Sequence, residues 1–298
     1  MSNPKVSVIL SIFRAERYLE RYLKSVLNQS MAHAIELSIV HNDPTNAERD
    51  ILDEYATQIQ MVRTETSRER LYVSWNRSIA QSRGDFLACW NVDDLRIEDS
   101  LERMTMSLEA DIESGWTYGD FVVTNQFGSQ KGHTVVTPEW SRHLATRGAI
   151  GGPFFLWRRR LMHKVGWFDE QFASGGDFDF TVRLSLHSRG VRSPGIHGYF
   201  LNERSGLSTS GDLQPVERTV VQLRYGIYET LDSFYLNSSL KYRVRHILQP
   251  GHVWIPIEYL LPGYDQLIKH RHRAAWRIPF HTAKAAIARR LRSVFRGR

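Results

Sequence analysis

Cysteine is nearly absent: Cys89 is the one cysteine in 298 residues. No disulfide can form within a single chain, and the usage favours a cytosolic or cytosol-facing location. Long hydrophobic runs are missing too. No uninterrupted apolar stretch approaches the roughly 20 residues that a bilayer-crossing helix needs. At the N-terminus, Lys5-Val6-Ser7-Val8-Ile9-Leu10 is too short for the apolar core of a signal peptide and is followed by Arg14 and Glu16, so no leader is expected. Acidic residues vanish after Asp265. Ten cations follow, from Lys269 to Arg298, so a chain of net charge +7 consists of a body of net −3 and a strongly basic tail. With 42% hydrophobic and 24% charged residues the remainder has the composition of a globular protein, long enough for one large α/β domain with appendages.

The N-terminal half alternates between two periodicities. Val6–Phe13 is a near-continuous apolar run, the pattern of a strand buried on both faces. Residues 16–29 place Tyr18, Leu19, Tyr22, Leu23, Val26 and Leu27 at helical spacing. Strands follow at 35–40, 59–62 and 85–90, with helices at 47–57 and 72–82 between them. This β-α-β-α-β-α-β series predicts a parallel sheet with right-handed crossovers. Beyond it, helices are expected at 99–112, 160–165 and 178–188, and strands at 116–126, 153–157 and 196–201. Past Gly211 the pattern reads as helical, through 216–236 and 240–248. No internal repeat interrupts the chain. The expected organisation is a domain over 1–210, a helical extension over 211–265 and a basic tail over 266–298.

The sharpest chemical signal is Phe86-Leu87-Ala88-Cys89-Trp90-Asn91-Val92-Asp93-Asp94. A short apolar strand stops in two adjacent carboxylates. Charge then stands at the rim of a sheet, where open α/β folds bind ligands. Such a pair can hold a hard divalent cation, which in turn can hold a phosphate. The competing reading is a helix cap ahead of Glu98-Asp99-Ser100-Leu101.

Seven segments in order resemble the inverting family 2 glycosyltransferases of the GT-A fold. The first strand runs into Ser11-Ile12-Phe13-Arg14, and Leu23-Lys24-Ser25-Val26-Leu27-Asn28-Gln29 follows. The second strand ends in His41-Asn42-Asp43-Pro44-Thr45, where the family has Asp-Asp-Gly-Ser. Ser74-Trp75-Asn76-Arg77-Ser78 stands at the family's Ala-Arg-Asn-x-Gly. Asn91-Val92-Asp93-Asp94 stands at its Asp-x-Asp-Asp. Gly166-Trp167-Phe168-Asp169-Glu170 and Gly175-Gly176-Asp177-Phe178-Asp179, continuing to Arg183, match its later segments. The resemblance spans the first 210 residues or so.

The resemblance implies a Rossmann-like nucleotide-diphospho-sugar transferase fold with a mostly parallel central sheet and a C-terminal helical extension. It implies a UDP- or GDP-sugar donor, Mn2+ or Mg2+ as cofactor, and a glycan or lipid-linked acceptor, in surface polysaccharide assembly. Asp93 is the implied metal ligand, assisted by Asp94. Asp177 is the implied base that deprotonates the acceptor hydroxyl. Ser11, Ile12, Phe13, His41, Asn42, Asn76 and Asn91 are the implied donor-binding residues. Without the resemblance, Asp177 would read as a helix cap and Phe13 as core. Asp179 reads as a structural partner of Arg183 at i+4. Gly151-Gly152-Pro153-Phe154 is a loop for acceptor approach or a plain turn. Trp167 reads as a buried aromatic and His197 as a structural histidine.

The tail is amphipathic. After Pro279, Phe280, Ala283, Ile287, Leu291, Val294 and Phe295 recur at helical spacing among Arg289, Arg290, Arg292 and Arg296. That pattern suits an anionic membrane surface, approached through 267–298 from the cytosolic side. Docking of the apolar stripe on protein is the alternative, and nucleic acid is not the expected partner. Two other functions compete with transfer. One is a non-catalytic scaffold of the same fold, suggested by Asn91, His41, Asn42 and Trp75 at donor positions. The other is a sugar nucleotidyltransferase, for which Arg14 and Arg17 are present but a glycine-rich phosphate loop is not.

Overall fold

The structure is a computed structural model that describes residues 3–203, 213–225, 246–249 and 253–256. The chain forms two compact units, Met1–Gln222 and Leu223–Arg298. The first unit begins with β1 (Val6–Ile12), α1 (Glu16–Leu27), β2 (Ile35–Asn42), α2 (Asn46–Tyr55), β3 (Gln60–Thr66), α3 (Leu71–Gln81) and β4 (Phe86–Cys89). It continues with β5 (Leu95–Arg96), α4 (Ser100–Ala110), β6 (Ser114–Thr124), β7 (His133–Val135), α5 (Arg142–Thr146) and β8 (Phe155–Arg158). The last elements are α6 (Met162–Val165), α7 (Gly176–His187), β9 (Arg189–Leu201) and α8 (Leu213–Arg224), whose last two residues fall in the second unit.

One sheet runs β3-β2-β1-β4-β8-β6-β9-β5, with β7 paired to β6. The β3-β2-β1-β4 half is parallel, as the alternating periodicity requires. The other half is mixed: β8 is antiparallel to both neighbours, whereas β6 and β9 run parallel. One face of β1 (Val6, Val8, Leu10, Ile12) is sealed by Leu19, Tyr22, Leu23 and Val26 of α1 and by Leu101, Met104 and Leu108 of α4. The opposite face of the sheet meets α3, where Ser38 and Ser78 each donate a hydroxyl to the other's carbonyl at 2.8 and 2.7 Å. Burial of both faces explains why β1 and β2 show no in–out alternation.

Several elements differ from the sequence pattern, among them the short strands β5 and β7, which it did not foresee. Strand β9 extends from Arg189 rather than from Ile196, through Pro194 and Gly195. The ladder absorbs these two breakers in register shifts, with Gly195 at φ 81°. Helix α5 is five residues long, too short to show a period. In the second unit the helix expected over 240–248 is replaced at its end by a strand, β10 (His246–Gln249), antiparallel to β11 (Val253–Pro256). Pro250-Gly251 between them is a turn signal that the helical reading overlooked. Residues 226–245, and the tail at 267–298, lie outside the described residues.

Candidate active site

The chain steps outward from β1 to β2 and β3, then returns to place β4 on the other side of β1. That reversal is a topological switch point, and the ends of β1 and β4 diverge there to leave a crevice. A cavity of about 1020 Å³ occupies it. Its lining includes Ser11 near the end of β1 and Phe13 just beyond the strand, Asn42 at the end of β2, and Asn91 and Asp93 after β4. Asp177 lines it from the first turn of α7. Residues 166 positions apart or less, drawn from four strand and helix ends, are thus gathered around one volume large enough for a nucleotide sugar.

The backbone is bent sharply at the mouths of β1 and β2. Arg14 and Asp43 both take positive φ, 50° and 45°, and their side chains form an ion pair at 2.9 Å. Left-handed backbone is uncommon for a residue such as arginine. The bend turns Phe13 outward, where it is 37% exposed with the Arg68 guanidinium 4.4 Å from its ring centroid. Phe13 is therefore a wall of the cavity and not part of the core. Asn42 is fixed by its amide donating to the hydroxyls of Ser11 and Ser74, at 3.0 and 3.1 Å, while its carbonyl oxygen accepts the Glu69 amide at 3.1 Å.

Asp93 and Asp94 are not helix caps: the cap position before α4 is Asp99. Asp93 is half-buried on the cavity wall. Burial raises its carboxyl above the ordinary range, aided by Glu203, which pairs with Arg17. Asp94 is buried, and its carboxyl is pushed up strongly, first by burial and then by Asp93. Its Oδ1 accepts the Leu201 amide at 3.0 Å, and the Asn91 side chain also hydrogen-bonds to it. Arg96, which sequence reasoning missed, sits in the same buried layer. Burial lowers its guanidinium to about 10.

Of the two carboxylates implied as metal ligands, Asp93 lines the cavity and is an oxygen donor of the kind a divalent cation takes. Asp94 is buried behind it, held to the Leu201 amide, and does not line the cavity. Asp93 raises the Asp94 carboxyl further, while Arg17 opposes the rise at Asp93 and Arg96 opposes it at Asp94. Among the described residues no group of three His, Cys, Asp or Glu side chains surrounds a single point. A bound Mg2+ or Mn2+ would take its remaining ligands from phosphate and water, as these ions commonly do.

Asp177 stands on a glycine pair that no other residue can replace without a shift. A Cβ on Gly176 would lie 2.7 Å from the Tyr72 ring, and one on Gly175 would lie 2.8 Å from Glu217. The Tyr72 hydroxyl accepts the Asp177 amide at 3.3 Å, and the Phe178 amide donates to Asp177 Oδ1 at 2.7 Å. Burial raises the Asp177 carboxyl, while the Phe178 amide and Arg218 oppose the rise. Asp179, two residues on, is turned inward and pairs with Arg183 at 2.7 Å, as its spacing implies.

The remaining implied donor residues have other contacts. Ile12 is wholly buried in the core and does not line the cavity. His41 is buried behind the second strand and meets Glu48 Oε2 at 3.0 Å. Glu48 closes a capping box with Thr45 and also accepts the Ala15 amide at 2.7 Å. Asn76 bridges the Phe168 backbone, donating to its carbonyl and accepting its amide at 2.9 Å each. Trp75 is buried edge-on against Tyr72 and Phe168 yet reaches the cavity wall. Trp167 corrects the expectation of a buried aromatic. It is 51% exposed, because the chain turns at Gly166 (φ 72°) and Phe168 enters the core instead, stacked 4.2 Å from Phe180. His197 is structural, wholly buried against Ser100 and Ser193, and burial lowers it to about 4. Gly152 lines the cavity, at φ 72°.

A test separates these roles. His41→Ala removes one of the partners of the buried Glu48 carboxylate, leaving it to Thr45 and the Ala15 amide, and should lower stability by about 1–3 kcal/mol, while leaving donor binding unchanged. Urea unfolding and nucleotide titration read the two; a loss of donor affinity in a stable variant would return His41 to the site.

The sheet order, the switch-point cavity and the carboxylates at the ends of β4 and on α7 together define a GT-A transferase fold. The Staphylococcus aureus TarS 1-349 structure in complex with UDP-GlcNAc superposes with a TM-score of 0.62 at 18% identity, covering 79% of this chain and 68% of that one. A mannosyltransferase from Pyrobaculum calidifontis, PcManGT, in complex with GDP-Man and Mn2+ superposes at 0.60 and 14% identity, covering 99% and 81%. The chain belongs to Glycosyl transferase family 2, whose profile matches residues 7–166, more than half of its length. EpsE of Bacillus subtilis (strain 168) is 33% identical over 112 residues, which is 36% of this chain and 40% of that protein. The chain thus spans well under two thirds of that relative.

Proposed function

We propose that the protein transfers a sugar, with inversion, from a UDP- or GDP-sugar to a hydroxyl of a glycan or lipid-linked acceptor. The observation that carries this reading is the opening of Asp93 and Asp177 onto one cavity at the switch point, each carboxyl raised by burial. Such a cavity needs one group to hold a diphosphate and another to accept a proton, and these two carboxylates stand in different elements to do so. Asp93 would hold a divalent cation, with Asp94 and Asn91 fixing the turn that presents it. When bound, the cation supplies charge neutralisation on the departing diphosphate. Phe13, with Arg68 above its ring, offers a flat face for a base, and Ser11 and Asn42 line the wall beside it. Asp177 would take the proton from the acceptor hydroxyl as it attacks the anomeric carbon.

Release of UDP or GDP from a panel of sugar donors with Mn2+ tests the reading directly. Donor turnover or nucleotide binding that requires Asp93 supports it. A protein that binds no nucleotide and turns over no donor would instead be a scaffold, the reading that Asn91 in place of a carboxylate favours.

The tail is proposed to bring this chemistry to an anionic membrane. Among the described residues no helix is long and apolar enough to cross a membrane. Vesicles containing anionic lipid should float the full chain and fail to float one lacking residues 267–298. Equal flotation of both would exclude the tail as the anchor.

A further inference from the structure

Helix α8 lies beyond the segment that matches the family profile, and nothing in its sequence marked it as part of the site. It nevertheless grips the approach to Asp177. The Glu217 carboxylate is buried, and three consecutive backbone amides converge on it. Ala173 donates to Oε1 at 3.0 Å, Ser174 to Oε2 at 2.8 Å and Gly175 to Oε2 at 2.6 Å. Successive amides turned to one point make an anion-binding nest, and this one stands at the N-terminus of α7, where the helix dipole adds to it. The next residue, Arg218, lines the cavity, donates to the Arg147 carbonyl at 3.3 Å and covers the Phe178 ring at 4.5 Å. A Cβ on Gly175 would collide with Glu217, so the glycine is what lets the carboxylate approach.

We propose that Glu217 and Arg218 are positioning residues for Asp177: Glu217 locks the 173–175 nest that sets the first turn of α7, and Arg218 braces that turn from the cavity side. The proposal rests on Asp177 acting as the base. Neither residue touches the reacting atoms in this scheme.

The two have opposite electrostatic effects on Asp177. The negative Glu217 raises its carboxyl and the positive Arg218 lowers it. The other groups facing Asp177 are the Tyr72 hydroxyl from α3 and the Cys89 thiol from β4, both of which burial keeps protonated. Asp179 on the same helix is turned away to Arg183.

Amide hydrogen exchange over 172–178 in the full chain is the first arm of the test, because it needs no activity. Glu217→Ala should speed exchange of the 173–175 amides by at least about 10-fold, and Glu217→Gln, which keeps one acceptor oxygen, should restore part of the protection. Unchanged exchange in Glu217→Ala overturns the proposal. The second arm is kinetic. Glu217→Ala should lower kcat by about 10-fold or more with donor KM held within about 2-fold. The acid limb of the pH–rate profile should move to lower pH in Glu217→Gln and to higher pH in Arg218→Gln. A residue with a merely structural role would move neither limb, and two unmoved limbs in folded variants overturn the proposal. If Glu217→Ala does not fold, the Gln variants carry both arms. Should Asp177→Asn retain full transfer, the base assignment fails; faster exchange in Glu217→Ala alongside it would separate that failure from a failure of the nest.

Discussion

Asp177→Asn should nearly abolish sugar transfer while making the protein more stable at neutral pH. The first effect is the loss of a general base, worth about 10²- to 10⁴-fold in rate. Asparagine keeps the shape of the side chain, and its oxygen can still accept the Phe178 amide, which donates at 2.7 Å in the wild type. Donor binding should therefore survive. The second effect follows from the direction of the carboxyl's displacement. Burial raises Asp177 in the folded state. Below the ordinary carboxylate range both folded and unfolded chains hold the proton, and no cost arises. As the pH rises through that range the unfolded chain ionises first, so stability falls until the folded carboxyl ionises as well. Asparagine removes this loss. Thermal unfolding from pH 4 to 8 should show the variant gaining over wild type as the pH rises, then levelling off. Transfer retained at the wild-type rate would place the base elsewhere, and a variant less stable at every pH would contradict the direction of the displacement.

Asp93→Asn should eliminate metal-dependent donor binding. Without a cation the two adjacent carboxyls are both held above their ordinary range, Asp93 chiefly by burial and Asp94 by burial and then by Asp93. A cation bound there must displace those protons, so its affinity should climb with pH through the elevated range. In wild type the rise in melting temperature caused by Mn2+ with UDP or GDP should accordingly grow as the pH is raised. Asp93→Asn should flatten that response, with donor affinity down by about 100-fold or more. Asp94→Asn should lose less, about 10-fold, because its Oδ1 is already committed to the Leu201 amide. An Mn2+ response that is the same in Asp93→Asn and wild type would remove the metal from this site.

The altered motif at Asn91 acquires a physical meaning here. The family pattern has a carboxylate at this position, and a third negative group beside Asp93 and Asp94 would raise the cost of ionising both. Asparagine adds no charge, and its side chain hydrogen-bonds to Asp94. The second-strand departure is different in kind. His41 and Asn42 are neighbours in sequence, but alternation along a strand sends them to opposite faces. Asn42 therefore reaches the cavity, and His41 turns to Glu48. Motif comparison cannot separate two adjacent residues in this way; strand geometry does.

The sequence by itself determined the parallel half of the sheet and the carboxylates at the end of β4. The reason is that both are local. A strand buried on two faces must be apolar throughout, a helix must repeat its apolar residues every three or four positions, and Asp-Asp after an apolar run needs no distant partner to be noticed. Only the tertiary structure decided which residues share the cavity. Phe13 leaves the core because Arg14 takes a left-handed turn, and Trp167 stays outside because Gly166 turns Phe168 inward. Asp177 becomes a residue of the cavity because Gly175 and Gly176 admit Glu217 and Tyr72 at close range. Glu217 and Arg218 had no signal at all in the chain order. Their partners are backbone amides 42 to 44 residues away and a carbonyl 71 residues away, and a hydrogen bond to backbone leaves no mark on the partner's side-chain identity.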